Sequence, residues 1–181
     1  MKLEIKKYPE PVLRKKAGKI GEITPEIKKL GQDMIETILK SEPQGVGLAG
    51  PQVGVSKRII VAQTAKGPAV FNSRLYDYAI ANQGSGERRR AMVLINPEIL
   101  KKSRQTEIME EGCLSLPGIL VEIKRAREIT IEALDINGKK SKIKAKGILA
   151  RILQHEIDHL DGVLITNRVN LWQRFKSTLK R

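Results

Sequence analysis

The chain has 181 residues, of which 40% are hydrophobic and 30% charged, so it is long enough to bury a sizeable core as one globular domain spanning residues 1–181. No stretch approaches the roughly 18 uninterrupted apolar residues of a membrane helix, and the first residues lack the apolar region of a signal peptide, so we expect no membrane partner. The single cysteine excludes an internal disulfide and favours a cytoplasmic location.

The charge balance is strongly basic, with 34 Lys and Arg against 20 Asp and Glu and a net charge of +14. Such a field attracts polyanions, nucleic acid above all, although a lysine-rich proteome would give any protein this balance. Aromatic residues make up only 3% of the chain, which is too few for base-stacking platforms. We therefore expect contacts with phosphates at most, and no sequence-specific recognition of nucleic acid.

The first predicted elements are a short edge strand at 3–7 and a helix that runs from Thr24 to about Lys40. Thr24 is a typical N-cap residue, and Pro25 suits the first turn of a helix. Apolar residues recur along this segment at helical spacing: Ile27, Leu30, Met34 and Ile38. The pattern indicates a helix that packs on the core and carries no chemistry of its own.

A glycine-rich segment, Gly45 to Gln52, follows this helix. It could cradle a phosphate, but it neither follows a predicted strand nor ends in the Lys-Ser/Thr pair of a nucleotide-binding loop. Glycines let a peptide backbone approach closely, and Gln52 supplies an amide donor. We therefore favour a contact with a peptide over a contact with a nucleotide.

Apolar runs bounded by turn residues predict four strands in the middle of the chain, at 58–63, 91–96, 119–123 and 129–134. The stretch 64–90 between the first two is polar and contains glycine, which favours an inserted, partly mobile loop. Asn137-Gly138 is typical of a tight hairpin, so we expect residues 142–144 to return antiparallel. A short basic helix at 171–179 is predicted near the end of the chain.

Both histidines of the chain are four residues apart, His155 and His159, with Glu156 directly after the first. At helical spacing they continue an apolar stripe that we expect to point inward, formed by Ile148 and Ile152. Gly162 suits the left-handed residue that ends such a helix. Two imidazoles one turn apart can bind one metal ion, and Glu156 can then reach a water on that ion. The alternative is a pair of buried histidines that hydrogen-bond in a core.

A metal ion needs a third protein ligand, and no His, Glu or Cys follows His159. The one soft candidate upstream is Cys113, although a lone cysteine is often an inert buried residue. A Cys-His-His set leaves a fourth position for water, which is a catalytic rather than a structural arrangement.

Two other classes of protein stay open at this point. A metalloprotease of the H-E-x-x-H type is disfavoured because its usual downstream ligand is missing. A basic RNA-binding module with a structural metal would leave Glu156 and Gln52 without a purpose.

Three segments occur in order along the chain: Gly45-Val46-Gly47-Leu48-Ala49-Gly50-Pro51-Gln52, Glu111-Gly112-Cys113-Leu114-Ser115 and Gln154-His155-Glu156-Ile157-Asp158-His159. Together they resemble the three motifs of the polypeptide deformylase family, and residues 8–14 are similar to the family's opening. The resemblance covers most of the chain. Gly50 stands where the family usually has alanine, and 64–90 is longer than the family's usual connection.

The resemblance implies an α+β fold in which small antiparallel sheets pack around a central metal-binding helix. It implies hydrolytic removal of the formyl group from the N-terminal formylmethionine of nascent polypeptides, with release of formate. The implied metal ligands are Cys113, His155 and His159. The implied ion is Fe²⁺, and Zn²⁺, Ni²⁺ or Co²⁺ could replace it.

The same resemblance implies roles for further residues. Glu156 would take the proton of the attacking water and deliver it to the departing amine. The Gln52 amide and the Leu114 backbone N–H would meet the charge that develops on the formyl oxygen. The resemblance also implies a substrate-binding set of Val46, Gly47, Gly112, Ile148 and Ile152. Core packing would explain the apolar members of this set equally well.

The C-terminal tail, residues 168–181, carries five Lys or Arg residues and no acid. Because a formylated nascent peptide originates at the ribosome, this tail suggests the ribosome as a second partner. Its contacts would be with phosphates.

Overall fold

The structure is a computed structural model that describes residues 1–64, 78–81 and 88–169. Three α-helices lie within these ranges, α1 (Pro25–Leu39), α2 (Gly147–Leu160) and α3 (Ile165–Arg168), together with two short 3₁₀ helices at Pro11–Arg14 and Gly50–Val53. The strands, in chain order, are β1 (Gly47–Ala49), β2 (Ile59–Thr64), β3 (Tyr78–Ala81), β4 (Arg88–Lys102), β5 (Thr106–Cys113), β6 (Leu116–Ala126), β7 (Glu128–Leu134) and β8 (Lys140–Lys146).

Antiparallel pairing joins these strands into two sheets. The larger has six strands, in the order β1-β2-β4-β7-β8 with β3 also paired to β4, and the smaller is the β5-β6 hairpin. Val61 lies opposite Val93 in the larger sheet, and Ile131 lies opposite Ile143. The predicted α+β class is confirmed, and the larger sheet provides the platform on which the helices pack.

The two faces of the larger sheet pack against different helices. Val61 points towards α1 and shares an apolar cluster with Ile38. Its neighbour Ile60 points the opposite way and packs in a second cluster with Leu153 of α2. Because successive side chains of a strand alternate between faces, one strand serves both cores. The sheet therefore lies between α1 and α2, and it fixes the position of α2.

The end of α2 is packed as its sequence predicts. Gly162 has a φ of +72°, the left-handed conformation that favours glycine. A Cβ at this position would lie 2.5 Å from the carbonyl oxygen of Arg14. Glycine is therefore required here both by the turn that ends the helix and by the close approach of the N-terminal segment.

Most of the predicted elements within the described ranges are present. The helix from Thr24 to about Lys40 is α1, and the four strands correspond to β2, β4, β6 and β7, of which β4 and β6 are longer than predicted. The hairpin after β7 is confirmed, with Gly138 at a φ of +82°, and β8 extends beyond the predicted 142–144. Strand β5 was not predicted, because most of its side chains are exposed and no apolar alternation marks it.

The edge strand predicted at 3–7 is wrong. Lys6 N–H donates to the Gln52 carbonyl oxygen at 2.8 Å, and Tyr8 N–H donates to the Ser115 carbonyl oxygen at 2.9 Å. The segment thus makes one backbone hydrogen bond to each of two different parts of the chain. It forms no continuous strand pairing with either of them.

Two predicted segments lie wholly or partly outside the described residues. Strand β3 falls within 64–90, and the rest of the connection between β2 and β4 is outside the described ranges, so the inserted loop stays a prediction. The same holds for the helix at 171–179 and for the assignment of residues 1–181 to one catalytic domain. Among the helices that the structure describes, none is both long and apolar enough to cross a membrane.

Candidate metal centre

Helix α2 is held against β6 by a buried glutamine that directly precedes the first histidine. The Nε2 of Gln154 donates to the Ala126 carbonyl oxygen at 2.9 Å, and its Oε1 accepts from the Ala126 N–H at 3.2 Å. Two hydrogen bonds from one amide fix both the position of the helix along its axis and its rotation about that axis. The next helical residue, His155, is therefore presented at a fixed position beside the small sheet.

The structure brings Cys113, His155 and His159 together. The Nε2 atom of His159 lies 3.2 Å from Cys113 Sγ and 3.2 Å from His155 Nε2, and the three candidate ligand atoms lie within 4.8 Å of one another. Ligands at metal–ligand distances near 2.0–2.3 Å around a tetrahedral ion are about 3.4 Å apart. The cluster therefore fits a single metal ion without rearrangement of the backbone.

Glu156 lies beside this cluster in a buried position. Its side chain is buried, and its Oε2 atom has no hydrogen-bond partner among the described residues. A buried carboxylate oxygen without a partner is costly, so it indicates a place where water or substrate belongs. Gly47 forms one wall of this position, since a Cβ at residue 47 would lie 2.3 Å from Glu156 Oε1.

Burial sets the direction in which the pKa values of Glu156 and His159 are shifted. It raises the pKa of Glu156 to about 7, against the opposing effect of His155 and Arg125. A carboxylate with a pKa near 7 is suited to general acid–base catalysis at neutral pH. Burial also lowers the pKa of His159, which keeps this imidazole neutral and able to act as a ligand.

His155 behaves differently because it contacts Cys113 and Glu111. Burial would lower its pKa, but hydrogen bonds with Cys113 and Glu111 raise it to about 10. A metal ion must displace the proton from Nε2 of this ring in order to bind. Metal binding should therefore release a proton.

Gln52 is oriented by hydrogen bonds at both ends of its amide. Its Oε1 accepts from the Ala49 N–H at 2.8 Å, which turns the Nε2 group towards Ser115 Oγ at 3.3 Å and Cys113 Sγ at 3.5 Å. An amide donor is thus fixed next to the candidate metal ligand. Leu114, whose backbone N–H was predicted as a second donor, is in the turn that directly follows Cys113.

A cavity of about 580 Å³ opens above the cluster. Eleven residues were predicted for the site, and all except His159 line this cavity: Val46, Gly47, Gln52, Gly112, Cys113, Leu114, Ile148, Ile152, His155 and Glu156. His159 is only 1% exposed and closes the cluster from within the protein.

Ile148 was expected to point into the core, and this part of the prediction is wrong. Its side chain is 55% exposed and Val46 across the cavity is 53% exposed, whereas Ile152 is buried and belongs to the core cluster as well. Large apolar side chains that stay exposed around a cavity mark a binding surface. The helical spacing placed Ile148 correctly on the face of the histidines, but that face is the cavity wall.

Sequence reasoning missed a buried charge cluster beside the site. Glu111 accepts two hydrogen bonds from Arg125, at 2.7 and 2.9 Å, and one from Arg151 at 2.6 Å. Burial would raise the pKa of Glu111, but its hydrogen bonds with His155 and Arg125 lower it to about 2. The sequence predicted no functional role for Arg151, although its spacing of four residues from His155 was a usable signal.

The composition of the site defines a class of protein. One thiol and two imidazoles that could hold a metal ion would leave a coordination position for water, and a buried acid lies next to them at the base of an apolar cavity. This is the arrangement of a metal-dependent hydrolase.

Comparison with known proteins identifies the family. The family model described as polypeptide deformylase matches residues 2–175. A peptide deformylase of Thermodesulfovibrio yellowstonii is 46% identical over 172 residues, which cover 95% of this chain and 92% of the relative. The crystal structure of the peptide deformylase from Thermotoga maritima superposes with a TM-score of 0.75 at 37% identity, covering 94% of this chain and 99% of that one.

A further solved structure, the peptide deformylase of Ehrlichia chaffeensis in complex with actinonin, superposes with a TM-score of 0.78 at 36% identity and covers 99% of this chain and 95% of that one. The chain belongs to the polypeptide deformylase family, whose members are metal-dependent hydrolases that remove the N-formyl group from nascent polypeptides.

Proposed function

We propose that this chain removes the formyl group from N-terminal formylmethionine at an ion held by Cys113, His155 and His159. The observation that carries the proposal is the convergence of these three ligand atoms within 4.8 Å, at the base of a cavity that Glu156 also lines. When bound, a divalent ion would act as a Lewis acid and lower the pKa of a water molecule, so that hydroxide is available to attack near neutral pH.

Glu156 is the general base and acid of the proposed reaction. Its enclosed carboxylate with a pKa near 7 can accept the proton of the attacking water and then deliver it to the nitrogen of the departing amine. The cleaved bond is the amide between the formyl carbon and this nitrogen. The formyl carbon leaves as formate, and the peptide leaves with a free amino terminus.

Gln52 and Leu114 are the proposed donors to the formyl oxygen. The amide of Gln52 is already oriented by Ala49 and does not have to reorganise when charge develops on that oxygen. The backbone N–H of Leu114 would provide the second donor from the neighbouring turn.

The methionine side chain would lie against the apolar wall of the cavity, where Val46, Ile148 and Ile152 are available to contact it. Gly47 and Gly112 would let the peptide backbone approach the cavity edge. At residue 112, a Cβ would lie 3.0 Å from Leu120 Cδ2, so a larger residue would crowd this edge.

Three further proposals concern the native ion, the location of the protein and its contact with the ribosome. A thiolate with two imidazoles suits Fe²⁺ or Zn²⁺ equally by ligand type, and the family resemblance favours Fe²⁺ as the native ion, with Zn²⁺, Ni²⁺ or Co²⁺ as replacements. We place the protein in the cytoplasm, where a lone cysteine stays reduced. Its basic surface, including Arg168 and the tail beyond it, would contact ribosomal phosphates.

The test is release of formate from a formyl-Met dipeptide by protein purified without oxygen, together with elemental analysis of the bound metal. Formate release that requires the metal supports the proposal. Cleavage of internal peptide bonds in acetylated peptides would identify a metalloprotease instead. Tight binding of RNA without any formate release would identify a nucleic-acid-binding module.

A further inference from the structure

The candidate metal ligands come from two separate parts of the fold. Cys113 ends β5, whereas His155 and His159 project from α2, and the ligand atoms of Cys113 and His159 meet across 46 residues of sequence. Metal–ligand distances tolerate deviations of only about 0.2 Å. The position of β5 relative to α2 must therefore be fixed closely.

A single buried arginine on β6 contacts both parts. The side chain of Arg125 is 5% exposed, and its Nε and Nη2 atoms donate to the two oxygens of Glu111 at 2.7 and 2.9 Å. Its Nη1 atom donates to Asp158 Oδ2 at 2.7 Å. Glu111 is two residues before Cys113, and Asp158 is one residue before His159. One guanidinium thus joins the segment of the thiol ligand to the segment of the imidazole ligands.

The same carboxylate also holds an imidazole ligand directly. Glu111 Oε2 lies 3.0 Å from His155 Nδ1, which places the Nδ1–H towards the carboxylate and leaves Nε2 directed at the cluster. Orientation of a ligand histidine by a carboxylate is a recurrent way of setting metal affinity. Arg125 therefore acts on His155 through Glu111 and on His159 through Asp158.

We propose that Arg125 is a positioning residue that sets the geometry of the metal site by bridging Glu111 and Asp158. The proposal rests on the ligand set proposed above. A guanidinium can make this bridge because it is planar and donates in three directions, whereas a lysine ammonium would be a point charge that cannot satisfy both carboxylates in the same way.

The chain also contains a buried arginine away from the candidate ligands, which serves as a matched control for Arg125. Arg58 is also buried, and it donates to Asp161 Oδ1 at 2.7 Å and to the Pro97 carbonyl oxygen at 3.1 Å. Asp161 follows the end of α2, and this pair contacts none of the three candidate ligands. Loss of Arg58 removes a buried arginine and its ion pair with the exposed Asp161 without disturbing the proposed bridge.

The experiment measures Co²⁺ binding to the metal-free 181-residue chain by competition with a chelator, and records the absorption spectrum of the Co²⁺-loaded protein. Arg125→Met should weaken Co²⁺ binding about 10- to 100-fold and reduce the thiolate-to-cobalt absorption that reports Cys113. Arg58→Met should stay within about threefold of the unchanged protein and keep its spectrum. Circular dichroism confirms that each variant is folded.

A second pair keeps the test decisive if Arg125→Met does not fold. Asp158→Asn weakens one end of the bridge, together with the ion pair of Asp158 with Arg168, and changes the shape of the side chain little. Asp161→Asn does the same for the ion pair of the control arginine. Asp158→Asn should weaken Co²⁺ binding, and Asp161→Asn should not. If folded Arg125→Met or Asp158→Asn binds Co²⁺ with the affinity and spectrum of its control, the positioning role is overturned.

His159→Ala separates this role from the ligand assignment. If His159→Ala binds Co²⁺ as tightly as the unchanged protein, the proposed ligand set itself is wrong. If His159→Ala loses binding while the Arg125 and Asp158 variants match their controls, the ligand set stands and only the bridge fails.

Discussion

Gly47 and Glu156 are packed so closely that any side chain at position 47 would displace the Glu156 carboxylate. A Cβ there would lie 2.3 Å from Glu156 Oε1 and 2.8 Å from its Cδ, and Glu156 is itself enclosed. The glycine of the loop and the acid of the helix are therefore one structural unit, although they are far apart in sequence. The glycine-rich segment had been interpreted as a surface for a peptide backbone, and its contact with Glu156 gives it a second purpose.

The first prediction tests this contact. Gly47→Ala should displace the Glu156 carboxylate and lower kcat about 100-fold, since a misplacement of about 1 Å at a reacting group has an effect of that order. Steady-state deformylation of a formyl-Met dipeptide measures it. Gly21→Ala is the matched control, because a Cβ at Gly21 meets nothing within 4 Å. A Gly47→Ala enzyme with the kcat of Gly21→Ala would refute the proposed constraint.

The second prediction separates proton transfer from metal binding. Glu156→Ala should retain its metal and lose turnover by about 10²- to 10⁴-fold, because Glu156 lies beside the ligands and is assigned to proton transfer. His155→Ala or His159→Ala should instead yield protein without the ion. Metal content and kcat are measured on the same preparations, and near-normal turnover of metal-loaded Glu156→Ala would remove Glu156 from the mechanism.

The sequence predicted well those helices and strands whose signals are local. Cap residues and helical spacing predicted α1, and apolar runs predicted β2 and β7, because these signals depend on neighbouring residues only. Strand β5 gave no such signal, since it forms one side of a two-stranded sheet with mostly exposed side chains. The error at 3–7 has a different origin, because a local sequence does not reveal whether a partner strand is available.

The residues of the candidate site also divide into those that the sequence predicted and those that it did not. His155, Glu156 and His159 were predicted from one helical stretch, and Cys113 was reached as the only soft ligand left. The bridge from Arg125 to Glu111 and Asp158 could not be predicted, because it depends on how β5, β6 and α2 pack together. Charged residues far apart in sequence carry no periodic signal that would pair them.

The third prediction concerns the cavity wall. Ile148→Ala should lower kcat/KM for a formyl-Met substrate about tenfold, given roughly 0.8 kcal/mol for each buried methylene and a side chain that is already 55% exposed. Stability should change little for the same reason, with a Tm shift within about 2 °C. Ile108→Ala is the control, since Ile108 is 61% exposed and does not line the cavity. Equal kcat/KM values for the two variants would show that Ile148 does not contact the substrate.

The fourth prediction concerns the tail, most of which lies outside the described residues. Deletion of residues 173–181 should weaken co-sedimentation with ribosomes at low salt, because phosphate contacts depend on Lys and Arg and weaken steeply as salt rises. Deformylation of a free formyl-Met dipeptide should be unchanged. A Lys142→Gln, Lys144→Gln variant removes two exposed charges of β8 and serves as the control. Unchanged co-sedimentation after the deletion would mean that the tail is only a solvated end.

The last prediction concerns the ion itself. A ferrous centre with a thiolate ligand and an open coordination position should react with oxygen, and Cys113 is the sulfur at risk of oxidation. We therefore expect activity to decay in air, to last longer under anaerobic handling, and to become resistant to air after replacement of the ion by Ni²⁺ or Co²⁺. Activity followed over time with parallel metal analysis, and mass spectrometry of the Cys113 peptide, measure this. Protein that stays fully active in air with only Zn²⁺ bound would contradict the assignment of iron, while leaving Cys113, His155 and His159 as the ligands.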